Sequence, residues 1–244
     1  MMKQLIAERR VILSAVGLLF LSAFAMVALQ LQGFPDTTCF MDAFPAVSYH
    51  MTMAIYPIAM FTCIALTKDE FSSDRVLRRK TQSGLWMYLV LKVGVICALL
   101  GVGAFLATCF MGLIIGNTFF NWDQPDSFCT TISGELFESL NCGAVMLTFL
   151  FCVLLGMYVV SMICLTAYWL FRSYVVGALL GLAVCIGGQG PVISYNANRG
   201  VFYSNLTSGI DTRYQFWYPL LVVIILAAIG MMKRKREFIV KTGV

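Results

Sequence analysis

Apolar residues in this chain fall in long unbroken blocks, not in the alternating or 3.6-residue stripes of a half-buried surface element. Six blocks stand out, at 11–31, 49–66, 86–116, 142–171, 174–188 and 216–232. A bilayer core of ~30 Å takes about 20 apolar helical residues to cross. The blocks therefore predict an all-α, polytopic membrane protein with six transmembrane helices. Those at 86–116 and 142–171 exceed the required length and are expected to tilt or to project beyond the lipid. The block at 174–188 is short and runs into Gly187-Gly188-Gln189-Gly190-Pro191, which predicts a short outer re-entrant hairpin before the last helix. No internal repeat, low-complexity tract or linker interrupts the chain, and residues 1–244 read as a single transmembrane domain.

Charge placement adds an orientation. Lys3, Arg9 and Arg10 precede the first block, and Lys68, Arg75, Arg78, Arg79 and Lys80 separate the second from the third. Arg172 lies between the fourth and fifth, and Lys233, Arg234, Lys235, Arg236 and Lys241 follow the sixth. The alternate connections carry Asp36, Asp42, Asp123, Asp126, Glu135, Glu138 and Asp211, with Arg199 and Arg213 as their basic residues. Basic loops face the cytoplasm, so both termini are expected there, in a multi-pass protein of the cell membrane. The first block is long enough to span and has no clear small-residue cleavage site after it, which argues against a secretory signal peptide.

Composition narrows the chemistry. The chain is 60% hydrophobic and 12% charged, with a mean hydropathy of +0.84, about half the charge of an average globular domain. Little of its length is left for a soluble catalytic domain. The net charge of +5 is spread over topogenic clusters and predicts no nucleic-acid partner. One histidine, His50, rules out a His-rich metal site and an HExxH helix, and its position beside Tyr49 is that of an interfacial polar residue. No Gly-Lys dipeptide occurs, so the chain lacks a phosphate-cradling P-loop, and neither a GxSxG elbow nor a TVGYG-like filter is present. The blocks contain no Asp or Glu, and Lys92, about two turns into the third, is expected to snorkel to the cytoplasmic surface. The expectation is a protein that is not itself an enzyme and holds no cofactor or metal. On the outer side, Cys129 and Cys142 allow a disulfide, with Cys39 unpaired or an alternative partner, and three free thiols fit equally.

Two segments carry candidate function. The connection 68–84 opens with Asp69, Glu70 and Phe71 and continues through Ser72, Ser73, Asp74, Arg75, Leu77, Arg78 and Arg79. Ser72 or Ser73 can cap a short helix that docks into a cytoplasmic groove; a solvated topogenic loop is the plainer alternative. After the fifth block, Tyr195, Asn196 and Tyr203 are candidates for an outer gate, against the alternative of an aromatic belt with a polar loop. Glu135 and Glu138 share one helical face, in what is expected to be an interfacial helix and not an acid–base pair. Gly177 and Gly181 form a GxxxG on the fifth block, suited to close packing within the subunit or across a dimer.

The arrangement resembles the type-2 ABC transporter permeases. The likeness lies in Glu8-Arg9-Arg10 before the first block and in the connection that runs from Asp69-Glu70 through the basic cluster to Trp86 and Lys92. The six-block layout and the short fifth block followed by a hairpin are also similar. The resemblance implies that Asp69, Glu70, Phe71, Asp74, Arg75, Leu77, Arg78 and Arg79 belong to a coupling helix resting on a separate ATPase subunit. ATP and Mg would bind in that partner. It further implies a second permease subunit, as a homo- or heterodimer, and export of an amphipathic or hydrophobic cargo (peptide, lipid or drug-like) by alternating access. The first, second and fifth spans would wall the route. A non-transporting six-helix scaffold or immunity protein is the alternative; an intramembrane enzyme acting on lipid has only scattered Tyr, Ser and Asn to draw on.

Overall fold

A computed structural model describes residues 2–32, 37–71, 82–128, 131, 141–187 and 213–232. It is all-helical, with no strand among the described residues. The helices are α1 (Met2–Leu31), α2 (Ala43–His50), α3 (Ile55–Thr67), α4 (Gln82–Ile115), α5 (Cys142–Phe171), α6 (Tyr174–Gly187) and α7 (Arg213–Met232). Short 3-10 turns at Phe40–Asp42 and Lys68–Phe71 lead into α2 and out of α3.

Three segments are long and apolar enough to cross a membrane: Glu8–Leu31, Ser83–Ile115 and Cys142–Phe171. The 34 residues of α4 extend ~51 Å at 1.5 Å per residue, well beyond a hydrocarbon core. By the same measure the 13 residues of α3 reach only ~20 Å. The second apolar block is thus not one continuous helix: it takes in the last two residues of α2, a turn at 51–54 and then α3. Pro57 supplies the reason. It sits in the first turn of α3, where it cannot donate to the carbonyl of Met53 and its ring would collide with that carbonyl in a continuous helix. The chain re-enters the helix through bonds from Tyr56 N to Met51 O (3.0 Å) and from Ile58 N to Ala54 O (3.0 Å).

Helices α4 and α5 form the central pair. α1 packs on α4, α6 packs on α5, α7 lies across both, and α3 lies against α1, α4, α5 and α6. The burial agrees with this order. Half of the apolar window is buried in α4 and in α5 but only 28% in α1, which leaves Leu13, Leu18, Leu21, Phe24 and Leu29 facing outward. The core holds Trp86, Trp122, Trp169, Tyr56, Phe44 and Phe149, each fully buried. Glycines set the closest approaches. A Cβ on Gly177 of α6 would lie 2.7 Å from the Cys164 carbonyl oxygen of α5, and one on Gly181 would meet the Met60 sulfur of α3. The GxxxG face therefore packs inside the subunit.

Candidate functional site

Polar side chains gather at the two ends of the bundle. At one end, loop 37–42 is stitched to the segment that leaves α4. Thr38 Oγ1 donates to the Ile115 carbonyl (3.0 Å), one of the carbonyls a helix C-terminus leaves without an intrahelical partner. Asn117 N donates to Thr38 O (3.0 Å), and Phe40 N donates to Thr118 O (2.8 Å). Asp42 closes the network: its carboxylate accepts from Cys39 N (2.8 Å) and from the Trp122 indole N–H (2.7 Å). Burial pushes the Asp42 carboxyl above its ordinary value, and the bonds from Cys39 and Trp122 only partly offset that rise. Burial, and then the neighbouring Asp42, raise the Cys39 thiol to about 12, which makes it a packing residue and not a nucleophile. Phe40 stacks on Phe119 and packs edge-on to Phe44, which in turn meets Phe149 of α5. Nearby, Gln30 Nε2 and His50 Nε2 lie 2.7 Å apart and tie α1 to α2.

The opposite end gathers charge. Lys92 of α4 does not snorkel outward: its ammonium donates to Glu70 (2.8 Å) and to Glu8 (3.4 Å), and its side chain is only 16% exposed. Tyr88, one turn earlier on α4, donates to the same Glu70 oxygen at 3.3 Å. Glu70 belongs to the 3-10 turn that ends α3, so this one carboxylate fastens the start of the 68–84 connection to α4, and through Lys92 to α1. Its backbone neighbours Asp69 and Phe71 share that turn. Asp74, Arg75, Leu77, Arg78 and Arg79 lie outside the described residues, as do Tyr195, Asn196 and Tyr203 of the expected outer gate and Cys129, Glu135 and Glu138.

Two indoles hold the last helix at this same end. Trp86 Nε1 donates to Ala227 O (2.8 Å) and Trp169 Nε1 to Gly230 O (3.0 Å), with the two rings 4.9 Å apart. A buried indole N–H needs an acceptor, and α7 presents its carbonyls to both. Gly230 is what lets α7 lie on the Trp86 ring, since a Cβ there would enter it. The sequence places Trp86 at the opening of the third block but gives no sign of this clamp, because the two indoles lie 141 and 61 residues from their acceptors.

Two side grooves open on the flank of α1. One, of about 520 Å³, runs between α1 and α3 and is lined by Arg10, Ser14, Met53, Pro57, Phe61 and Thr62 among others. The other, of about 350 Å³, lies between α1 and α4 and ends at Glu8 and Lys92. Midway along the bundle, Cys63 and Cys97 approach to 3.9 Å, and the Cys97 thiol donates to Ser161 Oγ at 3.6 Å. Among the described residues no group of three or more His, Cys, Asp and Glu side chains is placed to hold a metal ion.

Compared with known protein families, with characterised proteins and with solved structures, the chain matches none of them.

Proposed function

We propose that the chain is the membrane-spanning permease subunit of an ATP-driven exporter, working with cytoplasmic ATPase subunits and a second permease subunit in the cell membrane. The observation that carries this reading is the attachment of Glu70. A connection that only fixed topology would gain nothing by having its first turn bonded inward, whereas a segment that transmits a push needs a stiff link to the helices it moves. Glu70 supplies that link to α4 at 2.8 Å, and Lys92 passes it to α1 at 3.4 Å. In this reading the Lys92 end faces the cytoplasm, in keeping with the basic connections of the sequence.

Closure of the ATPase shifts segment 68–84, and α1 and α4 rock with it against the rest of the bundle. The groove between α1 and α3 suits one wall of a route for an amphipathic or hydrophobic cargo. Met53 and Phe61 offer apolar surface there, and Ser14 and Thr62 add hydroxyls. ATP chemistry stays in the partner, because the chain has no P-loop.

Affinity purification of the full chain from its native membrane tests the proposal. The expected result is an ATPase subunit in the eluate, lost when Arg78→Glu and Arg79→Glu are combined. A chain that purifies without an ATPase, or a complex indifferent to the charge reversal, removes the transporter reading and leaves a non-transporting scaffold or immunity protein.

A further inference from the structure

Glu8, Arg9 and Arg10 are consecutive on α1, so the helix turns each about 100° from the last. Glu8 goes to Lys92 on the α4 side, whereas Arg10 lines the groove between α1 and α3. Arg9 is exposed and lines neither of the two side grooves. Among the described residues no ion pair or hydrogen bond occupies the Arg10 guanidinium. Ser14 lies one turn further along the same face of α1 and is also exposed. Beyond it the lining is mostly apolar. Leu18 continues the α1 wall, and Met53, Pro57 and Phe61, spaced four apart, form the facing one. Thr62 commits its hydroxyl to the Ile58 carbonyl of its own helix (2.7 Å). Among the described residues that line the groove, Arg10 alone is charged.

Depth along the bundle sets what Arg10 meets. The apolar segment Glu8–Leu31 has 24 residues, ~36 Å at 1.5 Å per residue, against ~30 Å for a hydrocarbon core. Arg10, third in that segment, therefore stands at the boundary where lipid phosphates lie. α1 and α3 run in opposite directions, since Glu8 near the start of one and Glu70 after the end of the other meet at Lys92. The groove thus leads inward from Arg10, with Leu18 ~12 Å deeper. Leu18, Met53 and Phe61 are each exposed over about half their surface or more, so the groove opens sideways to the surrounding lipid. We infer that it binds a phospholipid with an anionic headgroup of the glycerol type. The Arg10 guanidinium takes the phosphate as a two-pronged donor, with the Ser14 hydroxyl beside it, and one acyl chain lies over Leu18, Met53 and Phe61. A choline or ethanolamine headgroup brings a cation of its own up to Arg9 and Arg10, a repulsion that the uncharged glycerol avoids. The inference does not rest on transport: it needs only that these helices lie in a bilayer.

Native mass spectrometry of the full chain, offered dioleoyl lipids with glycerol, choline or ethanolamine headgroups, identifies the most tightly held lipid. The expected result is about fivefold preference for the glycerol lipid, the factor that one basic residue at a membrane surface supplies. Arg10→Gln should bring that ratio close to one, and Arg9→Gln should leave it unchanged. The two variants remove the same charge from adjacent positions, so a diffuse attraction to the basic end of the bundle would respond to both alike. Leu18→Trp, at an exposed position, should lower retention of all three lipids by filling the groove. Tail-free glycerol phosphate should fail to displace the bound lipid. Equal retention of the three headgroups, equal effects of Arg9→Gln and Arg10→Gln, or displacement by the tail-free phosphate would each overturn the assignment.

Discussion

Replacing Lys92 with methionine isolates the charge cluster, because the apolar stem is kept and only the ammonium is lost. At an effective dielectric constant of about 20, the attraction to Glu70 across 2.8 Å is about 6 kcal/mol and that to Glu8 across 3.4 Å about 5 kcal/mol. Desolvating the ions cancels most of this, at several kcal/mol each, so the net value of the intact cluster is small. Removing the cation alone is different. It takes the Lys92 charge from the Glu70 carboxylate, which is 6% exposed, and breaking a buried pair in this way costs about 3–5 kcal/mol. Combining Lys92→Met with Glu70→Gln removes that carboxylate charge too and should recover most of the loss. Glu8→Gln, at a side chain 31% exposed, should cost about 1 kcal/mol or less. Thermal unfolding in nanodiscs, followed by tryptophan fluorescence, suits the test because Trp86 and Trp169 are fully buried at the same end. A midpoint drop on the order of 10 °C for Lys92→Met, largely reversed in the double variant, is the expected pattern. If Lys92→Met unfolds with the wild type, or the double variant is no better than the single, the Lys92–Glu70 pair does not carry the stability assigned to it.

Two further predictions address other contacts. Gly177→Ala places its Cβ 2.7 Å from a backbone carbonyl that cannot step aside, so it should cost about 1–3 kcal/mol, and Gly181→Ala should cost less because the obstacle is the thioether of Met60; parallel melts of the two variants decide this. At the other end, the raised Asp42 value means that the folded state binds its proton more tightly than the unfolded chain does. Its contribution is therefore complete at low pH and fades as pH rises past the ordinary aspartate value of 3.8 and through the raised one. A pH series of melts should show that decline in the wild type and not in Asp42→Asn, and a decline unaltered by the substitution would place its origin elsewhere.

Hydropathy made most of the helices legible, since the blocks at 86–116 and 142–171 coincide closely with α4 and α5. A sum over apolar residues is blind to backbone hydrogen bonding, so it joined α2 to α3 across a turn that Pro57 alone announces. Long-range pairing was harder to see. Lys92 lies 84 residues from Glu8 and 22 from Glu70, and nothing local in the sequence says that a lysine near a block's edge turns inward. Glu70 stood out in the sequence as one acidic residue of a charged connection facing a partner; in the fold its side chain faces the bundle. Asp42 is the clearest case. A carboxylate in an outer loop reads as solvated, yet Trp122, 80 residues away, bonds it in a fully buried position.

These placements suggest why the polar contacts sit where they do. Between helices in lipid the hydrophobic effect offers little drive, and association rests on close packing and on hydrogen bonds. Here the strong inter-element bonds concentrate at the ends, in the Asp42–Trp122 network and in the Lys92 cluster with its two indole clamps. Between the ends lie glycine contacts, the weak donor of Cys97, and bonds from the Tyr56 hydroxyl to Cys152 O (3.5 Å) and from the Tyr158 hydroxyl to Val90 O (3.2 Å). Among the described residues the ion pairs and the bonded indoles thus sit at the ends, where they hold α1, α4 and α7 together.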